Sequence, residues 1–184
     1  IQGAEAVLSE LTGRGARPDA TAYVRGEVAY AQGDYTGAEA CFLEALEEAR
    51  SEGLLRRCYL SLADVYQACA DLEAAGGSPI EQPATKAAAL LAQAVSSQGF
   101  GYDSALWEAL AMACYNAAVL EDAPDSYLER AAEAFQRVID LGVSREYLYA
   151  NLYAIYYTLG DAAAASGELD AYEAAFPASP TPNA

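Results

Sequence analysis

The chain has 184 residues, a formal net charge of −17 at pH 7 and no histidine. The acidic balance disfavours binding to nucleic-acid phosphates and to anionic membranes, and the lack of histidine removes the Ser-His-Asp and Cys-His nucleophile systems and the usual general base. Hydrophobic residues make up 54% of the chain, which allows a substantial core. Alanine, the strongest helix former, is the most common of them, and no alternating strand pattern is present, so we expect an all-α chain.

The first predicted element is a helix over residues 3–12, GAEAVLSELT, where apolar residues recur at helical spacing. The chain opens with Ile, not Met. We interpret residues 1–17 as a partial repeat, its helix being the second of a pair, and the chain as a processed or excised part of something longer.

The next stretch, AYAQGDYTGAEACFLEAL at 29–46, holds two helical patterns separated by Gly33-Asp34. Glycine can take the left-handed conformation that ends a helix, and aspartate can accept hydrogen bonds from the N–H groups that open the next one. Gly26 and Ala38 are small, which predicts a close helix crossing, and Phe42 is predicted to fill the space beside it. Gly160-Asp161 repeats the same turn signal.

The helix pair recurs along the chain. Each further copy begins with an aromatic residue, followed by Leu, by a small or aromatic residue, and then by Tyr or Cys. The copies are Tyr59-x-x-Leu62-Ala63-x-x-Tyr66, Trp107-x-x-Leu110-Ala111-x-x-Cys114 and Tyr149-x-x-Leu152-Tyr153-x-x-Tyr156, with second halves that begin at Ala87, Ala131 and Ala165. The pattern resembles the tetratricopeptide repeat (TPR), a helix–turn–helix unit of about 34 residues. The resemblance implies an all-α, right-handed α-α superhelix, a solenoid of antiparallel helix pairs.

The resemblance divides the chain into one domain over 1–177 and a disordered tail over 178–184. Leu169 is predicted to fill the space between helix pairs in the last repeat, and Phe100 and Tyr102 to tuck against Trp107 or nearby helices. The repeats are predicted at 20–52, 55–98, 103–142 and 145–177, with insertions at 71–86 and 121–126 inside the second and third.

The four cysteines lie inside apolar helical patterns and form no C-x-x-C pair, which predicts buried free thiols. Gly99-Phe100-Gly101 lacks the context of a dinucleotide site. Glu121, Asp122 and Asp125 fall short of a calcium loop. We therefore expect no catalytic, cofactor-binding or metal site, and a non-enzymatic protein.

The tetratricopeptide resemblance implies that partners bind in a concave groove lined by the first helix of each repeat. The acidic residues among the groove candidates favour Arg or Lys on a bound segment. The groove candidates include no Lys or Arg, which disfavours the carboxylate clamp of one family subtype. Tyrosine adds contact area with a polar tip. The candidate groove residues are Tyr23, Glu27, Tyr30, Asp64, Gln67, Glu108, Met112, Tyr115, Asn116 and Tyr157, with Leu60, Ala150 and Thr158 beside them.

Two functions remain open. The first is a scaffold that binds a neutral-to-basic protein or peptide, without nucleic acid and without direct membrane insertion. The second is a repeat segment, sensory or regulatory, of a longer membrane-tethered, lipoprotein or kinase chain. Self-association through end faces fits either. Free thiols favour the cytoplasm, a tethered extracytoplasmic segment stays open, and the Ala-, Gly- and Arg-rich composition is typical of a bacterial chain.

Overall fold

The protein's structure, a computed structural model, describes residues 17–97 and 99–177, which contain α-helices and no β-strand. The predicted helix over 3–12 and the predicted tail over 178–184 lie outside these residues. The helices are α1 (Pro18–Ala31), α2 (Tyr35–Glu48), α3 (Glu52–Ala74), α4 (Pro83–Ser96), α5 (Ser104–Leu120), α6 (Ser126–Asp140), α7 (Glu146–Thr158) and α8 (Ala162–Ala175).

The chain divides into two compact units, unit 1 (Ile1–Leu90) and unit 2 (Leu91–Ala184), with the boundary inside α4. In unit 1, α1 packs on α2 and α3, and α2 packs on α3. In unit 2, α5 packs on α6, α6 on α7 and α7 on α8. Packed helices that follow each other through a short turn run antiparallel, so each unit is built from helix pairs.

The turns at Gly33 and Gly160 have the predicted geometry. Both glycines have a φ of +76°, in the left-handed region that disfavours side chains. The carboxylate of Asp34 then accepts a hydrogen bond from the Gly37 N–H at 2.9 Å and opens α2. Asp161 accepts one from the Ala164 N–H at 3.0 Å and opens α8 in the same way.

The close crossing of α1 and α2 depends on Gly26. A Cβ atom placed there would lie 2.6 Å from ring carbons of Phe42, which is itself 1% exposed. Ala38 is fully buried, as the crossing requires. In α8, by contrast, the prediction for Leu169 was wrong, because Leu169 is only half-buried. Tyr172 takes the interior position and packs its ring 5.5 Å from that of Phe176.

The segment predicted as an insertion over 71–86 is mostly helical at its ends. Helix α3 continues to Ala74 and α4 starts at Pro83, which leaves residues 75–82 between them. The connection is anchored by Ile80, which is 3% exposed and whose backbone N–H and C=O both bond to the Ser78 hydroxyl. The extended α3 is thus followed by a loop that the burial of Ile80 and the Ser78 hydrogen bonds hold in place.

The loop before α5 separates its two aromatic residues. Phe100 is buried, but Tyr102 is 82% exposed, so the expectation that both pack inward was wrong for Tyr102. Trp107 Nε1 contacts the backbone here and not the Tyr102 ring, donating to the Gly101 carbonyl at 2.9 Å. The Tyr102 ring lies outside this contact, 5.4 Å from the Arg137 guanidinium.

Candidate functional site

The predicted groove residues lie on the first helices of the pairs. Unit 1 carries Tyr23, Glu27 and Tyr30 on α1, and Asp64 and Gln67 on α3. Unit 2 carries a second set on α5 and α7. The unit-2 members are Glu108, Met112, Tyr115, Asn116 and Tyr157.

A hydrogen-bond chain joins α1 to α3 in unit 1. The Tyr23 hydroxyl lies 3.1 Å from Ser61 Oγ, and Ser61 Oγ donates to Glu27 Oε1 at 3.1 Å. Arg57 adds a cation above the Tyr23 ring, 5.2 Å from its centroid. Burial raises the pKa of Tyr23, so its hydroxyl remains a donor and acceptor at neutral pH. Ser61 and Arg57 were missed from the sequence, since neither belongs to the repeat pattern.

In unit 1 the carboxylate of Glu27 acts on that of Asp64. Partial burial, and then the negative charge of Glu27, raises the pKa of Asp64. None of the ion pairs between described residues involves either carboxylate. Both side chains belong to exposed residues, so they present negative charge to solvent.

Tyr30 borders these carboxylates. It is 37% exposed, and its ring meets the Tyr35 ring edge-on at 5.7 Å. Burial, and then the charge of Asp64, raises the pKa of Tyr30. We call Tyr23, Glu27, Tyr30 and Asp64 the acidic patch. Gln67 lies beside them on α3, but its amide donates to Asp71 at 2.8 Å and has further partners.

In unit 2, Glu108 is already bound by residues of its own chain. Arg145 Nη1 donates to Glu108 Oε1 at 2.9 Å and to Oε2 at 3.1 Å, and the Tyr147 hydroxyl donates to Oε1. The hydrogen bond with Tyr147, and then the charge of Glu108, raises the pKa of Arg145. No arginine was predicted among the groove residues, whereas the structure brings Arg145 to Glu108. Arg145 was missed because it precedes α7 and lies outside the repeat pattern.

The remaining unit-2 candidates differ in exposure. Met112, Tyr115 and Asn116 are half-buried on α5. Tyr157 on α7 is 65% exposed, and its ring stacks on that of Tyr153 with centroids 6.2 Å apart. Helix α5 therefore offers a thioether, an amide and a phenol ring, and α7 offers a stacked pair of phenol rings.

The consensus tyrosines of unit 1, Tyr59 and Tyr66, are more buried than its groove tyrosines, whereas Tyr149 and Tyr156 of unit 2 are only half-buried. Tyr59 and Tyr66 are 9% and 4% exposed. The Tyr66 hydroxyl on α3 donates to Glu39 on α2 at 2.8 Å, which satisfies its polar tip. Tyr59 and Tyr66 therefore pack in the core.

Chemistry at the cysteines is disfavoured by their surroundings. All four are buried and free, as predicted. Burial raises the pKa of Cys58 and of Cys114 to about 11, which keeps both thiols protonated and weakly nucleophilic at neutral pH. Within 17–97 and 99–177, no three Cys, Asp or Glu side chains are grouped as metal ligands.

A cavity of about 170 Å³ opens in unit 2, on a face of α5 other than the one that carries the groove candidates. Its size is below the range of about 300–1,000 Å³ that drug-sized ligands and cofactors need. Its lining residues are Ala92, Val95, Ser96, Trp107, Leu110, Arg130 and Glu133. In the described part of the chain, no helix has both the length and the apolarity to cross a bilayer.

No family model matches the chain, and the search of curated proteins finds no match either. Solved structures do match. YrrB, a TPR protein described as having an unusual peptide-binding site, has a TM-score of 0.61 at 19% identity, covering 87% of this chain and 70% of YrrB. MamA from Desulfovibrio magneticus RS-1 (residues 41 to the end) has a TM-score of 0.60 at 16% identity, covering 98% of this chain and 97% of that one. A MamA RS-1 double mutant has a TM-score of 0.62 at 16% identity, over 95% and 85%.

These likenesses show the fold. The chain is all-α and has the fold of tetratricopeptide solenoids, so the predicted fold class is confirmed.

Proposed function

We propose that this protein is a non-enzymatic interaction module that binds an extended or helical segment of a partner protein along the groove-facing residues of its first helices. The segment is neutral to basic. The fold supports the first statement, and YrrB is an example of the same fold with a peptide-binding site.

The observation that carries the proposal is the acidic patch. It combines two carboxylates that lack an ion-pair partner among the described residues with two tyrosines that offer ring surface and hydroxyl groups. Tyrosine contributes contact area at little entropic cost, and a carboxylate pair favours Arg or Lys opposite it. Arg57 already lies over the Tyr23 ring, so the Tyr30 ring, in a residue that is 37% exposed, is the more available of the two for a ligand.

The test is selection of a random peptide library on the immobilised full chain. We expect enrichment of peptides that contain Arg or Lys next to an aromatic or aliphatic residue. The double variant Glu27→Gln/Asp64→Asn should lose this enrichment, because it removes both charges of the patch.

A matched control separates the patch from the charge of the whole protein. Glu47→Gln/Glu48→Gln makes the same charge change at exposed positions of α2 outside the candidate groove, and it should select the same peptides as the wild type. Equal loss in both double variants, or unchanged selection by the patch variant, would reject the acidic patch as the binding site.

A separate set of variants tests the contribution of the tyrosines to binding. Tyr30→Ala/Tyr115→Ala/Tyr157→Ala should weaken a selected peptide at least tenfold, since partly exposed aromatic residues commonly dominate binding energy. Tyr102→Ala removes an aromatic ring that is 82% exposed but outside the candidate set. Its affinity should match the wild type, with folding of both variants checked by circular dichroism.

A further inference from the structure

Glu108 differs from the other acidic groove candidates because an arginine of the same chain holds it. Arg145 Nη1 reaches both carboxylate oxygens, at 2.9 and 3.1 Å, and lies 3.2 Å from the Tyr147 hydroxyl, which itself donates to Glu108. A ligand arginine would bind the same two carboxylate oxygens, commonly through two of its nitrogens, whereas Arg145 uses Nη1 alone. Arg145 thus occupies the acceptors that a bound basic segment would use.

This contact is exposed and can open. The Arg145 side chain is 56% exposed and the Glu108 side chain 26%. Exposed ion pairs contribute little free energy, since solvent screens the charges and the long side chain loses conformational freedom. A ligand cation could therefore displace Arg145 at a modest loss of affinity.

We propose that Arg145 is an internal competitor for the cationic side chain of a bound segment. It occupies Glu108 and thereby lowers the affinity of unit 2 for Arg or Lys, so that the wild-type preference for cations comes from the acidic patch of unit 1. Arg145 is then a specificity-determining residue, and Tyr147 holds the carboxylate in place. The inference rests on the proposed function.

The probe is a nine-residue peptide of alternating arginine and serine, acetylated and amidated at its ends. It is titrated at low salt into the full chain labelled with ¹⁵N, and backbone amide shifts are followed separately in α5 around Glu108 and in the acidic patch. Arg145→Gln should lower the apparent Kd measured around Glu108 about two- to fivefold, the range expected from an exposed ion pair. Arg145→Lys keeps the charge and should stay close to the wild type.

Two further variants isolate the contact. Glu108→Gln/Arg145→Gln removes the released carboxylate and should abolish the gain. Arg25→Gln breaks another exposed pair, Arg25 with Glu44 at 3.3 Å, and makes the same change in net charge in unit 1. It should leave the Kd around Glu108 unchanged.

The outcomes are distinguishable. If the acidic patch responds to the peptide but Arg145→Gln changes nothing around Glu108, Arg145 is not a competitor and the inference fails alone. If Arg145→Gln creates binding at Glu108 while the acidic patch shows no shifts in any variant, the competition at Glu108 stands, and the acidic patch is rejected both as the site of the proposed function and as the source of the wild-type preference. Equal gains in Arg145→Gln and Arg25→Gln, or no response in any variant, overturn the inference.

Discussion

At the level of single residues, the contact between Gly26 and Phe42 offers a sharp test of the helix crossing. Gly26→Ala would place a Cβ atom 2.6 Å from the Phe42 ring. Overpacking of this kind typically costs about 1–3 kcal/mol, and the gain of about 1 kcal/mol in helix propensity offsets only part of it. We expect the free energy of unfolding to fall by about 1 kcal/mol in urea titrations.

Gly167 in α8 provides the matched control. A Cβ atom there would meet nothing within 4 Å, so Gly167→Ala should gain about 0.5–1 kcal/mol from helix propensity alone. Opposite signs for the two Gly→Ala changes support the crossing. A stabilising effect at both positions would show that α1 and α2 do not approach this closely.

The raised pKa of Asp64 predicts a stability effect with a defined pH dependence. Its carboxylate is disfavoured in the folded state by partial burial and by Glu27, so the charged form destabilises the fold at neutral pH. Asp64→Asn should therefore raise the free energy of unfolding at pH 7, by a few tenths of a kcal/mol at most, because solvent screens this exposed group.

The upward direction of the pKa shift sets the pH range in which the gain in stability appears. The gain from Asp64→Asn is full above the raised folded-state pKa and disappears as pH falls below the unfolded value of about 3.9, where both states are protonated. Thermal unfolding at pH 7 and pH 3.5 measures this difference, with Glu47→Gln on α2 as an exposed reference. A gain that persisted at pH 3.5 would have to come from something other than the charge.

Residue-level contacts were predictable where they are local in sequence. Gly33-Asp34 and the small residue at Gly26 could be recognised because the helix ends and the crossing act within one helix pair. The partners of Glu27 and Glu108 could not, because Ser61 and Arg145 lie 34 and 37 residues away. Only the packing of one helix against another brings those side chains together.

At the level of helices, the two aspartate caps should contribute to stability. Asp34 accepts from the Gly37 N–H and from the Thr36 hydroxyl, and Asp161 caps α8 similarly. Replacing such a cap by alanine typically costs about 0.5–2 kcal/mol. We expect Asp34→Ala to lower the free energy of unfolding by about 1 kcal/mol and to speed amide hydrogen exchange in the first turn of α2.

Helix α1 supplies a comparison, since Arg17 at its start makes no side-chain cap hydrogen bond to the helix. Arg17 instead pairs with the buried Asp19. Exchange rates in α1 should be unchanged by Asp34→Ala. A uniform loss of protection throughout α1 and α2 would mean that the cap controls the whole helix pair and not its own turn.

The sequence pattern predicted which segments form helices, and it predicted helix ends where glycine and aspartate mark them. The end of α3 did not, because residues 71–74 continue the helix into a segment rich in Gly and Pro. The hydrogen bond from the Gly77 N–H to the Leu72 C=O, at 3.0 Å, closes the helix there. Burial of Ile80 then fixes the loop, and a long-range packing contact of this kind has no signature in the local sequence.

At the level of the whole chain, the net charge of −17 links stability to binding. The excess of carboxylates repels itself in the folded state, and the same excess attracts a basic ligand. Salt screens both interactions, with a Debye length of about 30 Å at 0.01 M and about 8 Å at physiological ionic strength. Stability and affinity should therefore respond to salt in opposite directions.

We expect the thermal midpoint of the free protein to rise by a few degrees between 20 and 300 mM NaCl, while the Kd for a selected basic peptide increases by about tenfold or more. The patch variant Glu27→Gln/Asp64→Asn should show a smaller change in Kd than the wild type, because it removes two charges from the binding surface. The thermal midpoint of the free variant should rise as much as that of the wild type, because most of the repulsion stays in place. If stability and affinity both fell with salt, favourable ion pairs such as Arg145 with Glu108 would outweigh the self-repulsion of the chain. If affinity did not change with salt, recognition would depend on the tyrosine and apolar surfaces, and the acidic patch would serve only to keep the protein charged.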